Sequence, residues 1–461
     1  MGRKRKELAE NMKQLKMKPT QFARHLAKQV PPVSKDSGNL GEVPSISVLK
    51  QLSSAARHEG RLDLDPIKEI EIWNTKLCDK SPHSRFPGYV RKLNTRPSVM
   101  IHGYTEDQLK IALGFLKRRD CIFHTDATGS IVSQQLITAH YPGMKRPLLY
   151  TLIPTSEGLS MEEAPFPVAD FLTTSHYRED IRHFMSLFWR DLSIANHNRE
   201  PPKPVMIVCD QSYSIMGAAC LTFNEMSLNL YRHWCWKLVR NRLDLAQIKK
   251  CTIIHVDAPH TLHTFSRKFP ARPNEKESKI LYMRTCGLLL CSRTIAEFEK
   301  ILRLFFVVFS APFANAEVEN HLIQLAEMVV GKEAAPVISE LVCIETGEPM
   351  SPSQRQNEEN VLFEDENEEE YETIPDGNPF KNHFITIIRE AKNIAELSTK
   401  GKTNRYANRR AVEAMEQMIN TSVYWAGFCL HPKRYATDKP KFPPLSAKYC
   451  FQQHSRGMVV N

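Results

Sequence analysis

Three short apolar segments of this sequence each end next to an aspartate. The segments and their acids are residues 121–124 with Asp126, residues 205–209 with Asp210 and residues 251–256 with Asp257. Short apolar runs bounded by turn-forming residues are typical of buried β-strands. A carboxylate at the end of such a strand needs a partner, usually a backbone N–H group or a metal ion. The pattern therefore predicts a sheet whose strand ends carry acids.

The residues that follow Asp126 predict a tight turn. The sequence Ala127-Thr128-Gly129-Ser130 is rich in turn formers, and Ile131 and Val132 can begin a return strand. We therefore expect a β-hairpin with Asp126 at its mouth. The alternative that Asp126 is only a turn residue stays open here, because Asp-x-x-Gly is by itself an ordinary turn sequence.

The order of the remaining segments predicts the fold class. Residues 148–154 are almost entirely apolar, as in a central strand, and residues 169–192 read as one helix. The strand at 205–209, a helix at 213–240 and the strand at 251–256 follow. A strand meander followed by alternating helices and strands predicts an α/β fold with a mixed sheet flanked by helices. Asp126 and Asp210 become neighbours if the fourth strand pairs with the first.

The length of 461 residues allows two or three compact units, or one large domain with an insertion. The composition suggests six regions. They are a basic helical N-terminal region (1–97), the first part of the core (98–262), a helical insertion (263–344), an acidic linker expected to be disordered (345–378), the last part of the core (379–425) and a basic tail (426–461).

The net charge of +10 hides a strong asymmetry. Residues 358–372 contain nine acids and no base, so the rest of the chain carries +19. Such a basic surface favours a polyanion such as nucleic acid. A basic cluster opens the chain and a second one precedes the last helix; their members are Arg3, Lys4, Arg5, Lys6, Lys402, Arg405, Arg409 and Arg410. The first cluster fits a nuclear localisation signal or a phosphate-binding arm.

Cysteine usage and hydropathy exclude several classes of protein. The eleven cysteines include no Cys-x-x-Cys pair, which argues against a zinc finger and for a reducing compartment. The longest apolar run, near residues 304–313, is too short to span a bilayer. We therefore expect a soluble intracellular protein with no membrane partner.

Two neighbouring carboxylates repel each other, and a divalent cation resolves the conflict. Asp126 and Asp210 at adjacent strand ends would suit Mg²⁺ or Mn²⁺ ions that clamp the oxygens of a phosphodiester. A zinc site is the alternative, because His255, Asp257, His260 and His263 offer ligands at short spacing.

These residues resemble the ribonuclease H-like catalytic core of DDE transposases. The closest likeness is to the Mutator-like group, which shares a C/D-x-x-H element with the hAT group. The resemblance covers roughly residues 98–425 and rests on Asp126 with its Ala-Thr-Gly-Ser-Ile context, on Asp210, and on the Asp257-x-x-His260 element.

The resemblance implies the roles of the site residues. Asp126 and Asp210 would be catalytic metal ligands, and the third would be a glutamate on the helix after the insertion. Glu413 is the choice because Asn408 to Glu413 is similar to the family's Asn and Val-Glu pattern, and Glu416 is the runner-up. Asp257 and His260 would support the active site or the DNA strands.

The implied activity is Mg²⁺- or Mn²⁺-dependent cleavage and joining of DNA, with transposon ends and target DNA as partners. The implied location is the nucleus, and a homodimer or higher oligomer is compatible. The family's zinc-dependent DNA-binding module is missing from residues 1–97. The sequence is therefore also compatible with a truncated or host-domesticated copy of such a transposase. Two rival hypotheses remain: a catalytically inactive DNA-binding or scaffold protein, and a cellular ribonuclease H-like nuclease.

Overall fold

The computed structural model describes most of the chain in two compact units that meet in the sequence at Pro87 and Gly88. The described residues are 3–15, 17–30, 43–59, 62–63, 65–77, 88–118, 120–129, 143–156, 166–270, 272–330 and 377–430. The return strand expected at Ile131, the acidic linker up to residue 376 and the tail from residue 431 lie outside them. The first unit ends before the boundary at residue 97 that the sequence suggests.

The first unit is helical, as its composition predicts. Its helices are α1 (Arg3–Gln14), α2 (Pro19–Gln29), α3 (Ile46–Glu59) and α4 (Pro66–Leu77). A small core joins the first three of these helices, and its buried members are Ala9, Met12, Phe22, Leu49 and Leu52. The backbone of residues 3–6 lies in α1, but the side chains of this basic cluster are outside the described part.

The second unit contains a seven-stranded mixed sheet. Its strands are β1 (Val90–Asn94), β2 (Met100–Gly103), β3 (Ile122–Thr128), β4 (Leu148–Thr155), β5 (Ala169–Thr173), β6 (Met206–Cys209) and β7 (Ile253–Val256). A separate two-stranded ribbon pairs β8 (Phe313–Ala314) with β9 (Lys402–Thr403).

The strands of the large sheet lie in the order β1-β2-β5-β4-β3-β6-β7. The first five in this order pair antiparallel, whereas β3, β6 and β7 are parallel. Parallel neighbours require a crossover connection, and helices lie between β3 and β6 and between β6 and β7 in the chain. The fourth core strand, β6, pairs with the first, β3, which is the condition under which Asp126 and Asp210 become neighbours.

Helices follow and separate these strands. Those of the second unit are α5 (Glu106–Leu116), α6 (Arg178–Ala195), α7 (Tyr213–Ala219), α8 (Leu228–Val239), α9 (Leu245–Lys249), α10 (Ala258–Lys268), α11 (Lys276–Cys291), α12 (Ile295–Ser310), α13 (Ala316–Val330), α14 (Pro379–Glu396), α15 (Arg409–Ile419) and α16 (Ser422–Trp425). The helix α5 begins with the predicted capping box, in which Thr105 Oγ1 accepts from the Gln108 N–H at 3.2 Å.

Apolar side chains on the strands bury themselves against these helices. On α6, Phe184 stacks on Phe171 of β5 with ring centroids 5.0 Å apart. Leu238 of α8 belongs to a second cluster, with Ile122, Met206, Val208 and Ile253. The Phe171–Phe184 pair and the Leu238 cluster are both buried. A close-packed apolar core therefore supports the end of the sheet that carries the acids.

The structure corrects two sequence predictions. Residues 169–173 form β5 rather than the start of a helix, because Ala169, Phe171 and Thr173 alternate into the core with period two. The expected turn is also wrong at Ala127 and Thr128. These residues continue β3 and pair with Tyr150 and Leu149.

A buried carboxylate ties the edge of the sheet to α6. Asp191 is 1% exposed, and its Oδ2 accepts hydrogen bonds from Arg91 Nη2 at 3.1 Å and Tyr104 Oη at 3.0 Å. Its Oδ1 accepts from Arg190 Nη2 at 3.2 Å. Asp191 thus gives a charged partner to Arg91 on β1.

We expect Asp191→Ala to lower the free energy of unfolding by about 3–5 kcal/mol, because it leaves Arg91 partly buried without its carboxylate. Denaturant unfolding measures the loss. Glu179→Ala on the surface of the same helix is the matched control and should change stability by about 0.5 kcal/mol or less. Equal losses in the two variants would show that the buried network adds no stability.

His102 makes the stability depend on pH. Burial, together with the charges of His183 and Lys92, lowers the pKa of His102 to about 3, so the folded protein keeps this ring neutral. The unfolded chain binds a proton near the ordinary histidine pKa, about 6.5. Stability is therefore complete above this pH and falls as the pH drops towards the folded-state value.

Between pH 6 and pH 4 we expect one histidine of this kind to contribute a slope of about 1.4 kcal/mol per pH unit. His102→Leu should remove that part of the slope, measured by urea unfolding across the pH range. His321→Gln on α13 is the control for the removal of a histidine side chain. An unaltered slope in His102→Leu would refute the assignment.

Candidate metal centre

The parallel pairing of β3 with β6 brings two of the predicted acids together. Thr125 pairs with Cys209, so the next residues, Asp126 and Asp210, lie side by side at the same edge of the sheet. Asp126 is still within β3 and is opposite Thr151 of β4. Pairing with β4, and pairing of the preceding residue with β6, therefore hold the backbone of Asp126, which a surface turn would not do.

The third strand-end acid lies one strand further along. Val256 pairs with Cys209, and the Asp257 N–H donates to the Cys209 carbonyl at 2.8 Å. Asp257 is the residue before α10, and Pro259 stands in the first turn of that helix. The helix carries His260 back over the strand ends.

His260 bridges two of the acids. Its Nδ1 lies 3.0 Å from Asp257 Oδ2 and 3.0 Å from Asp210 Oδ1. The spacing of three residues places Asp257 and His260 on the same side of the first helical turn. Asp257 is buried, whereas Asp210 and His260 keep 23% and 34% of their side chains exposed.

Asp126, Asp210 and His260 form a group that could hold a metal ion. One ligand atom from each lies within 4.8 Å of the others, and all three side chains are half-buried. Among the residues that the structure describes, this is the only such group of histidine, cysteine and acidic side chains. The structure thus brings together Asp126 and Asp210, which the sequence predicts to be metal ligands, and it adds His260 to them.

The electrostatics of the group favour a cation. Burial and the neighbouring charge of Asp126 raise the pKa of Asp210 well above its ordinary range. Burial lowers the pKa of His260, but the hydrogen bond that its ring donates to Asp257 and the charges of Asp210, Asp257 and Asp126 outweigh it and raise the pKa to about 9. When no metal is bound, the imidazolium therefore offsets part of the negative charge; a divalent ion that binds His260 would take over this role and displace the ring proton.

The donor set fits Mg²⁺ or Mn²⁺. Carboxylate oxygens are the ligands that these hard ions prefer, and the imidazole nitrogen of His260 is a ligand type that also suits transition metals such as Zn²⁺. The zinc alternative is not supported: His255, Asp257, His260 and His263 form no such group within the described part of the chain. His255 is buried on β7, and burial lowers its pKa to about 4.

The structure does not bring Glu413 or Glu416 into the group. Glu413 is exposed on α15 and accepts from Arg409 Nε at 2.7 Å. Glu416, the runner-up, pairs with Lys392 Nζ at 2.6 Å. Asn408 caps α15, with its Oδ1 accepting from the Ala411 N–H. Both glutamates therefore have basic partners of their own.

The second basic cluster lies on and before α15, and acids partly neutralise it. Arg405 pairs with Glu277 at 3.0 Å, and Arg410 pairs with Glu275 at 3.2 Å. Lys402 lies in the exposed ribbon strand β9. The role of this cluster in DNA binding stays a prediction.

Sequence reasoning missed His124. It precedes Asp126 by two residues on the same face of β3, is 6% exposed and hydrogen-bonds to Thr155 Oγ1 at 3.0 Å. Burial lowers the pKa of His124 to about 4, with the charge of Asp257 opposing the shift. A neutral ring thus lies under the acids. The alternation of strand residues is the signal that could have shown it.

No helix in the described part of the chain is long and apolar enough to cross a membrane. Comparisons with protein-family models, with curated proteins and with solved structures find no match. The geometry of the site is therefore the basis for inferring its chemistry.

We expect Asp126→Asn to stabilise the metal-free protein by about 1 kcal/mol, because it removes a like charge beside Asp210. It should also abolish the stabilisation by Mn²⁺, which for the natural protein reaches about 2.7 kcal/mol at one hundred times the dissociation constant. Thermal unfolding with and without Mn²⁺ measures both effects.

Glu413→Gln is the matched control for this experiment. It removes a carboxylate that the structure places outside the group, so the Mn²⁺-induced stabilisation should persist. If Glu413→Gln loses it and Asp126→Asn retains it, the metal does not bind where these three side chains meet.

Proposed function

We propose that the unit that begins at Gly88 is a metal-dependent polynucleotidyl transferase of the DDE transposase type, which cuts and joins DNA strands. The observation that carries this proposal is the meeting of Asp126, Asp210 and His260 at adjacent parallel strand ends. Mg²⁺ or Mn²⁺ is the proposed cofactor, and DNA the proposed substrate.

The sheet supports a ribonuclease H-like core. Strands β3, β4 and β5 form an antiparallel meander, and β6 and β7 extend the sheet from β3 in parallel. Strands β3, β4, β6 and β7 agree with those that the sequence predicts, whereas the residues of β5 were expected to be helical. The resemblance at Asp126, Asp210 and the Asp257-x-x-His260 element points in the same direction.

The side chains of the site would have two roles: some would hold a cation, and others would balance charge. When bound, a divalent cation supplies Lewis-acid activation of the attacking oxygen and stabilises charge on the phosphoryl group. Asp126 and Asp210 would hold it from two paired strands whose backbones cannot separate without breaking the sheet. Asp257 receives the Nδ1–H of His260 and so orients the ring towards Asp210.

Glu413 is the third acid only if its side chain leaves Arg409. The two charges lie four residues apart on α15, and the exposed pair is of the kind that contributes little to stability. Phosphate groups could compete for Arg409 and release the carboxylate. The helix that carries Glu413 packs next to α10, where Lys268 Nζ donates to Gln417 Oε1 at 3.0 Å.

A second candidate function is a domesticated DNA-binding or scaffold protein without catalysis. The pairing of Glu413 with Arg409, apart from the two aspartates, favours this alternative. In either case DNA is the proposed partner, and the nucleus the proposed location. Cleavage distinguishes the two functions.

We expect Asp210→Asn to reduce Mg²⁺- or Mn²⁺-dependent nicking of supercoiled plasmid roughly 1000-fold, because one of two proposed metal-binding carboxylates is lost. DNA affinity measured in EDTA should change less than about twofold. Gel electrophoresis measures nicking, and fluorescence anisotropy measures binding.

Asp244→Asn is the matched control. It makes the same chemical change at an exposed helix cap, where asparagine can still accept from the Gln247 N–H. Nicking should persist in this variant. If the natural protein binds DNA but never nicks it, the transferase proposal fails and the scaffold function takes its place.

A further inference from the structure

The helix α10 carries a stripe of side chains that begins at the candidate metal centre. His260, Thr264 and Arg267 follow one another at spacings of four and three residues, so they lie on one face of the helix. The opposite face is buried through Leu262 and Phe265. At about 1.5 Å per residue, the step from His260 to Arg267 covers about 10 Å along the helix axis. The helix itself therefore fixes the position of Arg267 relative to the metal centre.

This stripe ends in positive charge. The helix α10 contains no aspartate or glutamate, and its last turn holds Arg267 and Lys268. Arg267 is half-buried and forms no ion pair within the part of the chain that the structure describes. Lys268 is exposed, and its Nζ donates to Gln417 Oε1 at 3.0 Å. Because an amide is neutral, this hydrogen bond leaves the charge of Lys268 in place.

The C-terminal end of α10 is already capped by other cations. Basic residues in the last turn of a helix usually compensate the partial negative charge of its free carbonyl groups. Here Lys279 Nζ donates to the carbonyl oxygens of Ser266 at 2.7 Å and Phe269 at 3.0 Å. Arg410 donates to the next carbonyl oxygen, that of Pro270. The two basic residues of the last turn are therefore not needed to cap the helix.

The next two acids in the chain after α10 both have basic partners. Glu275 accepts from Arg410 Nη1 at 3.2 Å, and Glu277 pairs with Arg405 Nη1 at 3.0 Å. The charges of these acids are thus offset by arginines outside α10. The last turn of α10 keeps its positive charge, and a surface of this kind attracts an anion.

We propose that Arg267 and Lys268 bind backbone phosphates of the DNA strand that the metal centre cuts, so that this strand runs along α10. This inference rests on the proposed function, because that function supplies the DNA. Nucleotides of one strand in a B-form duplex rise about 3.4 Å each, so about 10 Å along α10 places these contacts about three nucleotides from the cut. Phosphate contacts hold a strand in position without reading its sequence.

The test measures DNA binding in EDTA, so that no cleavage takes part. The full chain is titrated into two fluorescein-labelled duplexes of unrelated sequence, each of about 30 base pairs, at roughly 50 to 200 mM salt. We expect Arg267→Gln and Lys268→Gln each to weaken binding of both duplexes about fivefold at roughly 100 mM salt. Each variant should also reduce the slope of log affinity against log salt concentration by about 0.9. Arg267→Lys keeps the charge and should keep the slope.

Lys249→Gln is the matched control, because it removes one positive charge from the last turn of α9. Lys249 precedes β7, whereas Asp257 follows the other end of that strand. This variant should bind both duplexes like the natural protein. The proposal is overturned if Arg267→Gln and Lys268→Gln behave like Lys249→Gln, or if the loss of affinity differs between the two sequences. Thermal unfolding confirms that each variant is folded.

The nicking assay tests whether these contacts lie on the strand that is cut. Arg267→Gln should raise the plasmid concentration for half-maximal nicking about fivefold and change the maximal rate less than twofold, because Arg267 holds the strand and does not touch the reacting atoms. An unchanged concentration for half-maximal nicking would place Arg267 off the path of the cut strand and overturn the proposal.

The binding result is separate from the outcome for the proposed function. A reduced salt slope in Arg267→Gln and Lys268→Gln, with no nicking by the natural protein, would support the phosphate contacts and reject the transferase. Nicking by the natural protein, with an unchanged salt slope in both variants, would support the transferase and reject the phosphate contacts.

Discussion

The repulsion between the carboxylates of Asp126 and Asp210 is the constraint on which the site depends. Their strands pair in parallel up to Thr125 and Cys209, so the backbones of the two acids that follow start side by side. Burial adds to the cost of the two charges and raises the pKa of Asp210. A bound divalent cation would relieve this repulsion, and protonated His260 offsets part of it when no metal is bound.

The surrounding structure maintains this pair. The apolar cluster of Ile122, Met206, Val208, Leu238 and Ile253 packs β3, β6 and β7 against α8. At the other side of the sheet, Asp191 ties β1 to α6 through Arg91 and Tyr104. A rigid sheet explains how side chains can be held in an unfavourable electrostatic arrangement: the packing of the core offsets the local cost.

Parts of the fold and site could be predicted from the sequence because they follow local rules. The apolar runs before Asp126, Asp210 and Asp257 predicted three strands that the structure contains. The capping box at Thr105 is also local. The strand at 169–173 could not be separated from α6, because five residues give too short a pattern to distinguish period two from the helical period. The extension of β3 past Asp126 depends on pairing with β4, which local turn propensity does not reveal.

The sequence by itself determined that acids follow the apolar runs of the central strands and that His260 follows Asp257 by three residues, since these are matters of order and spacing. Only the tertiary structure decided which groups converge. Strand pairing set Asp126 beside Asp210, and the first turn of α10 turned His260 towards both Asp210 and Asp257. The tertiary structure also leaves Glu413 in an ion pair with Arg409. On an exposed helix face, the opposite charge four residues away is the nearest partner.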